Sequence, residues 1–132
     1  MNVITVHSKD HDRVIDIADQ ISATAAAAAD GVCTVFTQHT TCALTILTNE
    51  AGIADDLLTV LRRLVPQATT YVHDSADHVR AHVLSALVGP SVLVPIRNSR
   101  LALGEFQRVV LLEFEGPRNR TVSVTTTHAN LT

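Results

Sequence analysis

SVLVPIRNSRLALGEFQRVVLLEFEGPRNRTVSVTTT, residues 91–127, decides the class of this fold. Ser91–Ile96, Phe106–Glu115 and Arg120–Thr127 are rich in branched and Thr side chains, which fit a pleated surface, and read as strands. Arg97-Asn98-Ser99-Arg100 and Glu115-Gly116-Pro117-Arg118 carry the turn-forming residues that separate them. The last third of the chain is therefore all β.

Upstream of this stretch, helices enter between strands. Asp77–Leu87 places Val79, Val83, Ala86 and Leu87 on one face and is stopped by Gly89-Pro90. Glu50–Leu64 repeats apolar residues at Ile53, Leu57, Leu58, Leu61 and Leu64, with Asn49 as N-cap and Pro66 beyond its end. Between these two helices, Tyr71-Val72-His73-Asp74 is extended or looped. Val32–Gln38 is a β-branched strand and Ala43–Thr48 its partner, joined through His39-Thr40-Thr41-Cys42. Arg13–Asp30, with its Ala25–Ala29 run, reads as one helix ended by Gly31, since Ala has the best helix propensity. Asn2–His7 alternates and forms a first strand, followed by a polar turn over Ser8–Asp12. The order predicts an α+β domain spanning residues 1–132, a mainly antiparallel sheet or sandwich with about three helices.

Composition narrows the function classes. The chain has 132 residues, 46% of them hydrophobic, so it can bury a core, and association with further copies would bury more. Its formal charge of -3 argues against nucleic acid, whose phosphates call for a basic surface. No apolar run approaches the roughly 20 residues that span a bilayer, and the first residues lack a signal-peptide pattern, so no membrane partner and a cytoplasmic location are expected. Cys33 and Cys42 suit reduced core thiols, with a disulfide still open.

Three segments carry candidate chemistry. His39-Thr40-Thr41 lies between two strands with Asn49-Glu50 beyond them, where a scaffold exposes functional groups; ordinary β-formers beside a satisfied histidine would look the same. His78 and His82 stand four apart on a helix with His73 upstream, so imidazoles on one face can share a metal ion such as zinc. The same spacing suits a solvated helix face, and it lacks the Glu of His-Glu-x-x-His. Arg97, Arg100, Arg118 and Arg120 crowd two turns; their guanidinium forks can pair with phosphate or simply face water.

Taken together, these segments resemble the YjbQ-like family (UPF0047). The resemblance runs from Gly31-Val32 through His39-Thr40-Thr41 to Asn49-Glu50. It continues through Tyr71-Val72-His73, Ala81-His82 and Leu87-Val88-Gly89-Pro90-Ser91-Val92 to Pro95. It is most specific at Arg100-Leu101-Ala102-Leu103-Gly104-Glu105-Phe106-Gln107, and closes on Glu115-Gly116-Pro117-Arg118-Asn119-Arg120. It covers residues 3–126 and implies a compact antiparallel fold, a homotrimer, and a thiamine-phosphate synthase activity regarded as secondary. That reaction joins a pyrimidine pyrophosphate to a thiazole phosphate and releases pyrophosphate, so a phosphorylated small molecule is the implied partner. Its charge must be neutralised by Arg, Lys or a metal, and its nucleophile held in place.

Residue by residue, the resemblance marks His39, His73 and His82 as polar family positions, expected to converge on a divalent metal, zinc or magnesium, or on the substrate's phosphate. Glu50, His39 and Gln107 become catalytic, and Arg100, Arg118, Thr40 and Thr41 bind substrate. Two other readings stay open: a non-catalytic metal- or metabolite-binding trimer, and a metal-assisted hydrolase with Glu50 beside the metal's water. The chain also departs from the family pattern. Gly104-Glu105-Phe106-Gln107 replaces Gly-Thr-Trp-Gln, Ser99 replaces a Gly, and His78 stands where an acidic residue is usual. An acidic ligand changed to His shifts preference toward zinc-like ions.

Overall fold

Every β-ladder among residues 2–25 and 30–128, the residues described by this computed structural model, is antiparallel. Eleven elements follow one another: β1 (Asn2–His7), β2 (Arg13–Asp16), α1 (Ala18–Ala25), β3 (Gly31–Phe36), β4 (Cys42–Thr48), α2 (Ile53–Leu64), α3 (Ala76–Val88), β5 (Ser91–Arg97), β6 (Arg100–Leu101), β7 (Gln107–Glu113) and β8 (Asn119–His128). They build a five-stranded sheet in the order β1-β8-β3-β5-β6 and a three-stranded sheet in the order β2-β7-β4. The α+β class and the three helices are as expected.

Two strands explain the layering. In β8, Val122 and Val124 are buried while Thr121 is exposed and Ser123 and Thr125 are half-buried, the alternation of a sheet covered on one face. In β7, Val109, Val110, Leu111 and Leu112 are all buried. Val109 and Leu111 join Leu44 of β4 against Val35, Val94 and Val122 of the larger sheet, with Ile21 of α1 in the same core. Val110 and Leu112 turn the other way, with Ala43, onto Leu61 of α2 and Ala81 and Leu84 of α3. The three-stranded sheet is thus a central layer, and each leucine-sized side chain it buries contributes about 1.5–3 kcal/mol. The outer face of the larger sheet carries Val3, Val32, Phe36 and Leu93, all exposed.

Four expectations are corrected. The single helix over Arg13–Asp30 is instead a strand, Arg13–Asp16, followed by a shorter helix. Val14 and Ile15 favour pairing, and β7 offers an edge on which Arg13 faces Glu113. The Asp16 carboxylate then accepts the Ala18 N–H (3.0 Å), opening the helix. The Ala26–Ala29 part of that expected helix lies outside the described residues.

The second correction concerns β3 and β4, which are not partners. They belong to different sheets, because the chain crosses the sandwich at His39–Thr41. Third, Asn49 caps no helix: its N–H donates to Phe106 O (2.9 Å), and the helix begins after Gly52, which holds φ 86. At its other end Leu64 is exposed and Val65 takes the buried place.

The fourth is a rotation of α3. Its buried face is Val79, Ala81, Leu84 and Ser85, whereas Val83 and Leu87 are exposed. Ser85 donates to Cys42 O (2.6 Å), and Arg80 donates through Nη1 to both Asp12 oxygens (3.1 Å each). Asp12 also accepts from Arg62 of α2 (2.9 Å), so one carboxylate ties both helices to the β1–β2 loop. This rotation brings His78 and His82 to the edge of the buried face, half-buried.

At the β5–β6 hairpin, Asn98 and Ser99 both hold positive φ (52° and 62°), the backbone of a tight two-residue turn. Ser99, where the resemblance implies a Gly, keeps that conformation. None of the described helices is long and apolar enough to cross a membrane.

Candidate metal centre

Where the chain leaves the larger sheet, backbone groups of β8 lose a strand partner and side chains replace it. Thr37 donates its hydroxyl to Thr121 O (3.1 Å), and the Thr121 N–H donates to His39 Nε2 (3.1 Å). His39 N–H in turn donates to Thr37 Oγ1 (3.3 Å). A ring nitrogen that accepts a backbone N–H keeps its lone pair, so His39 is neutral with its proton on Nδ1. Burial and then the Arg120 guanidinium hold its pKa below the ordinary histidine value, against a smaller opposing pull from Glu113.

Beneath it lies a buried ion pair. Arg120 donates Nε to Glu113 Oε1 (2.8 Å) and Nη2 to Glu113 Oε2, and Nη2 also reaches Thr41 Oγ1 (2.9 Å). Side-chain exposure is 3% for Arg120 and 0% for Glu113. Ser8 Oγ donates to Glu113 Oε1 (2.7 Å) and the Glu115 N–H to Oε2 (3.1 Å). Burial raises the Glu113 pKa, but these four donors outweigh it and the net shift is downward.

The turn after β7 is thereby fixed, and Glu115 with it. A Cβ on Gly116 would lie 2.0 Å from Asp10 O, so the turn packs directly on the β1–β2 loop. Glu115 accepts from His78 Nδ1. Its own pKa is raised by burial and lowered more by His78 and Arg118, leaving it below the usual carboxylate range.

With Nδ1 turned to Glu115, His78 places its Nε2 within hydrogen-bond distance of His82 Nε2, 3.1 Å away. Their rings are perpendicular at 4.6 Å, and His73 packs on both at 5.3 and 5.4 Å. One nitrogen from each of His73, His78 and His82 falls within a group no wider than 4.8 Å. Two ligands about 2.0–2.1 Å from a tetrahedral zinc are about 3.3–3.4 Å apart, close to the 3.1 Å between His78 and His82, while His73 lies within the wider 4.8 Å bound. A carboxylate behind a ligating imidazole is the usual support of such a site. Three imidazoles with a carboxylate behind one of them form the kind of donor set that a zinc-like ion takes.

The predicted residues divide between the two ends of the sandwich. His39 and Thr40 share with His82 a cleft of about 400 Å³, but the third imidazole of the cluster is His78, not His39. Thr41 belongs to the Arg120 network, and Arg118 is exposed on the turn beside Glu115. Glu50, Gln107 and Arg100 lie elsewhere. Glu50 follows β4, whose Thr48 pairs with Gln107, a strand length or about 20 Å from Cys42. Gln107 Oε1 accepts the Gly104 N–H (2.8 Å), and Arg100 closes the hairpin opposite Arg97. Ser8, Glu113 and Glu115 were missed; only contacts distant in sequence give them their roles.

The family model described as UPF0047 protein YjbQ-like matches residues 2–129. A UPF0047 protein of Archaeoglobus fulgidus is 41% identical over 122 residues, covering 92% of this chain and 96% of its own. The UPF0047 protein YugU of Bacillus subtilis is 31% identical, covering 92% and 94%. Among solved structures, an uncharacterised conserved protein of the same family from Clostridium acetobutylicum superposes with TM-score 0.90 at 29% identity, covering 96% of this chain and all of that one. A conserved hypothetical protein from Thermus thermophilus gives TM-score 0.87 at 30% identity, with coverage of 96% and 100%. The chain belongs to the YjbQ-like UPF0047 family.

Proposed function

We propose that this chain is a divalent-metal enzyme of small phosphorylated molecules, with His73, His78 and His82 as its metal ligands. The observation that carries this is the convergence of three imidazoles, one of them oriented by Glu115, beside a cleft that leaves room for a ligand. Three protein ligands leave a zinc-like ion an open position, the hallmark of catalytic rather than structural sites. Such an ion supplies Lewis acidity toward a phosphoryl oxygen. Arg118 beside the site adds positive charge, and Glu113, Arg120 and Glu115 hold the ligands in place. Formation of thiamine phosphate and hydrolysis of a phosphoester both belong to this class of chemistry.

The test is metal analysis of tag-free protein followed by turnover assays with and without the ion. We expect close to one zinc-like ion per chain, and turnover of either the pyrimidine pyrophosphate and thiazole phosphate pair or a simple phosphoester that stops on chelation. A metal-free protein overturns the metal; a loaded protein inert toward both substrate classes reduces the reading to a binding protein.

A homotrimer belongs to the same proposal. Two observations support it: apolar Val3, Phe36 and Leu93 on the open sheet face, and the separation of Glu50, Gln107 and Arg100 from the imidazole end. Association could bring one copy's Glu50 end to another's cleft. Light scattering is expected to return three times the chain's 14.2 kDa, and a monomer would refute it. Buried free thiols at Cys33 and Cys42 suit a cytoplasmic setting.

A further inference from the structure

Arg80 is only partly engaged by the contact that ties α3 to the β1–β2 loop. Its Nη1 donates to both Asp12 oxygens, and Asp12 also accepts from Arg62, so one carboxylate answers two guanidiniums and a net positive charge is left over. The Arg80 side chain is 8% exposed, and its buried Nε has no hydrogen-bond partner among the described residues. Buried donors are nearly always paired, so this one calls for an acceptor. Arg80 lines a pocket of about 170 Å³ together with His11, Asp77, Phe114 and Glu115. At roughly 30 Å³ for each water-sized group, such a space takes a ligand of about five or six heavy atoms.

The walls carry both signs of charge. Asp77, exposed in the first turn of α3, gives Oδ1 to Gln67 Nε2 (2.8 Å), and Glu115 accepts from His78. A bare anion drawn to Arg80 would face both carboxylates, and a bare cation drawn to the carboxylates would face Arg80. We propose that this pocket binds a small α-amino acid as its zwitterion, with the carboxylate accepting from Arg80 Nε–H and the ammonium between Asp77 and Glu115. A carboxylate is the natural partner of a guanidinium edge, and an ammonium, with three donors and no acceptor, suits two carboxylates. The volume restricts the side chain to that of glycine or alanine. The site stands apart from the metal reading above and shares only Glu115 with it.

Glycine, L-alanine, acetate and methylamine are the probes, titrated into the full chain with calorimetry for the affinities and NMR for the Arg80 Nε–H resonance. L-Alanine is expected to shift that resonance saturably and to bind at least about tenfold more tightly than acetate or methylamine, each of which lacks one charged contact. Glycine should bind as L-alanine does. Arg80→Lys keeps a cation for Asp12 but has no Nε–H, and should lose L-alanine binding. Asp77→Asn keeps an acceptor for Gln67 on an exposed position, so it spares the fold. It should weaken L-alanine roughly three- to fivefold, the scale of an exposed ion pair, without weakening acetate. His82→Ala should bind L-alanine like wild type. Acetate as tight as L-alanine, or an Asp77→Asn protein that binds L-alanine unchanged, overturns the inference. So does an Arg80 Nε–H resonance that no probe moves. Loss of L-alanine binding from His82→Ala overturns it as well, because the amino acid would then sit on an ion held by the imidazoles. A chain that holds no metal yet binds L-alanine in this pattern would sink the metal reading and leave the amino-acid site standing.

Discussion

His78→Ala protein is expected to retain no metal under conditions in which wild type, on the reading proposed above, holds one ion per chain. This substitution removes one of the three proposed ligands and also the imidazole that donates to Glu115, so the loss of affinity should exceed about 100-fold. Glu115→Ala leaves all three imidazoles but frees the His78 ring to turn and to exchange its proton between nitrogens. Removal of such a supporting carboxylate weakens metal binding about 10–100-fold. His82→Ala should match His78→Ala, whereas His39→Ala should hold its ion. Competition against a chelator of known affinity ranks all four variants in one experiment. Should His39→Ala lose the ion as completely as His82→Ala while His78→Ala keeps it, the set His39, His73 and His82 would be correct and the geometry described here would be wrong. The ranking also separates a true ligand set from an adventitious one, since exposed histidines gathering an ion by chance would not depend on Glu115.

How much of this was legible beforehand follows from which contacts are local. The strands of residues 91–127 were readable because their Val, Ile and Thr content speaks for itself, and α2 and α3 because their apolar residues recur at helical spacing. The strand at Arg13–Asp16 was not: four residues beside an Ala-rich run look helical until β7 offers them an edge. The same limit applies to β3 and β4, adjacent in sequence but in different layers. That crossing at His39–Thr41 also explains why the site was only half seen. His73, His78 and His82 lie within ten residues, and their spacing alone brought them forward together. His39 entered the metal set through the family pattern, and separately α3 was expected to turn Val83 inward, whereas Ala81, Leu84 and Ser85 face the core. Glu115 and His78 are 37 residues apart and Ser8 and Glu113 105 apart, separations no sequence periodicity connects. Arg100 and Glu50 were marked by the residues themselves and Gln107 by resemblance, and in one chain they stand a strand length from the imidazoles.

Arg120→Met is expected to cost about 3–5 kcal/mol of folding stability, the toll of leaving a fully buried Glu113 without its cation. Against a total of about 5–15 kcal/mol for a domain, that is enough to bring the protein to the edge of unfolding. The same change leaves Thr41 without its guanidinium contact at the point where the chain crosses between sheets. Glu113→Leu combined with Arg120→Met should recover much of the loss, because two apolar groups need no partner, and a double-mutant cycle by urea denaturation reads the coupling. The pair also sets the acid limit of the fold. Glu113 titrates below its unfolded value of about 4.3, so its contribution is fully present above that pH and is lost as pH falls through the lower folded value. Wild type should therefore lose stability steeply below about pH 4, while the double variant, lacking this carboxylate, should show a shallower acid limb. A double variant as steep as wild type would place the acid sensitivity elsewhere, with Asp16 and its Arg108 partner the next to examine. Because Glu113 also accepts the Glu115 N–H, metal affinity in the double variant should fall even where stability has been restored. Stability and metal binding then separate in one protein: the first needs only that the buried pair be satisfied or absent, the second needs the carboxylate that holds Glu115 toward His78.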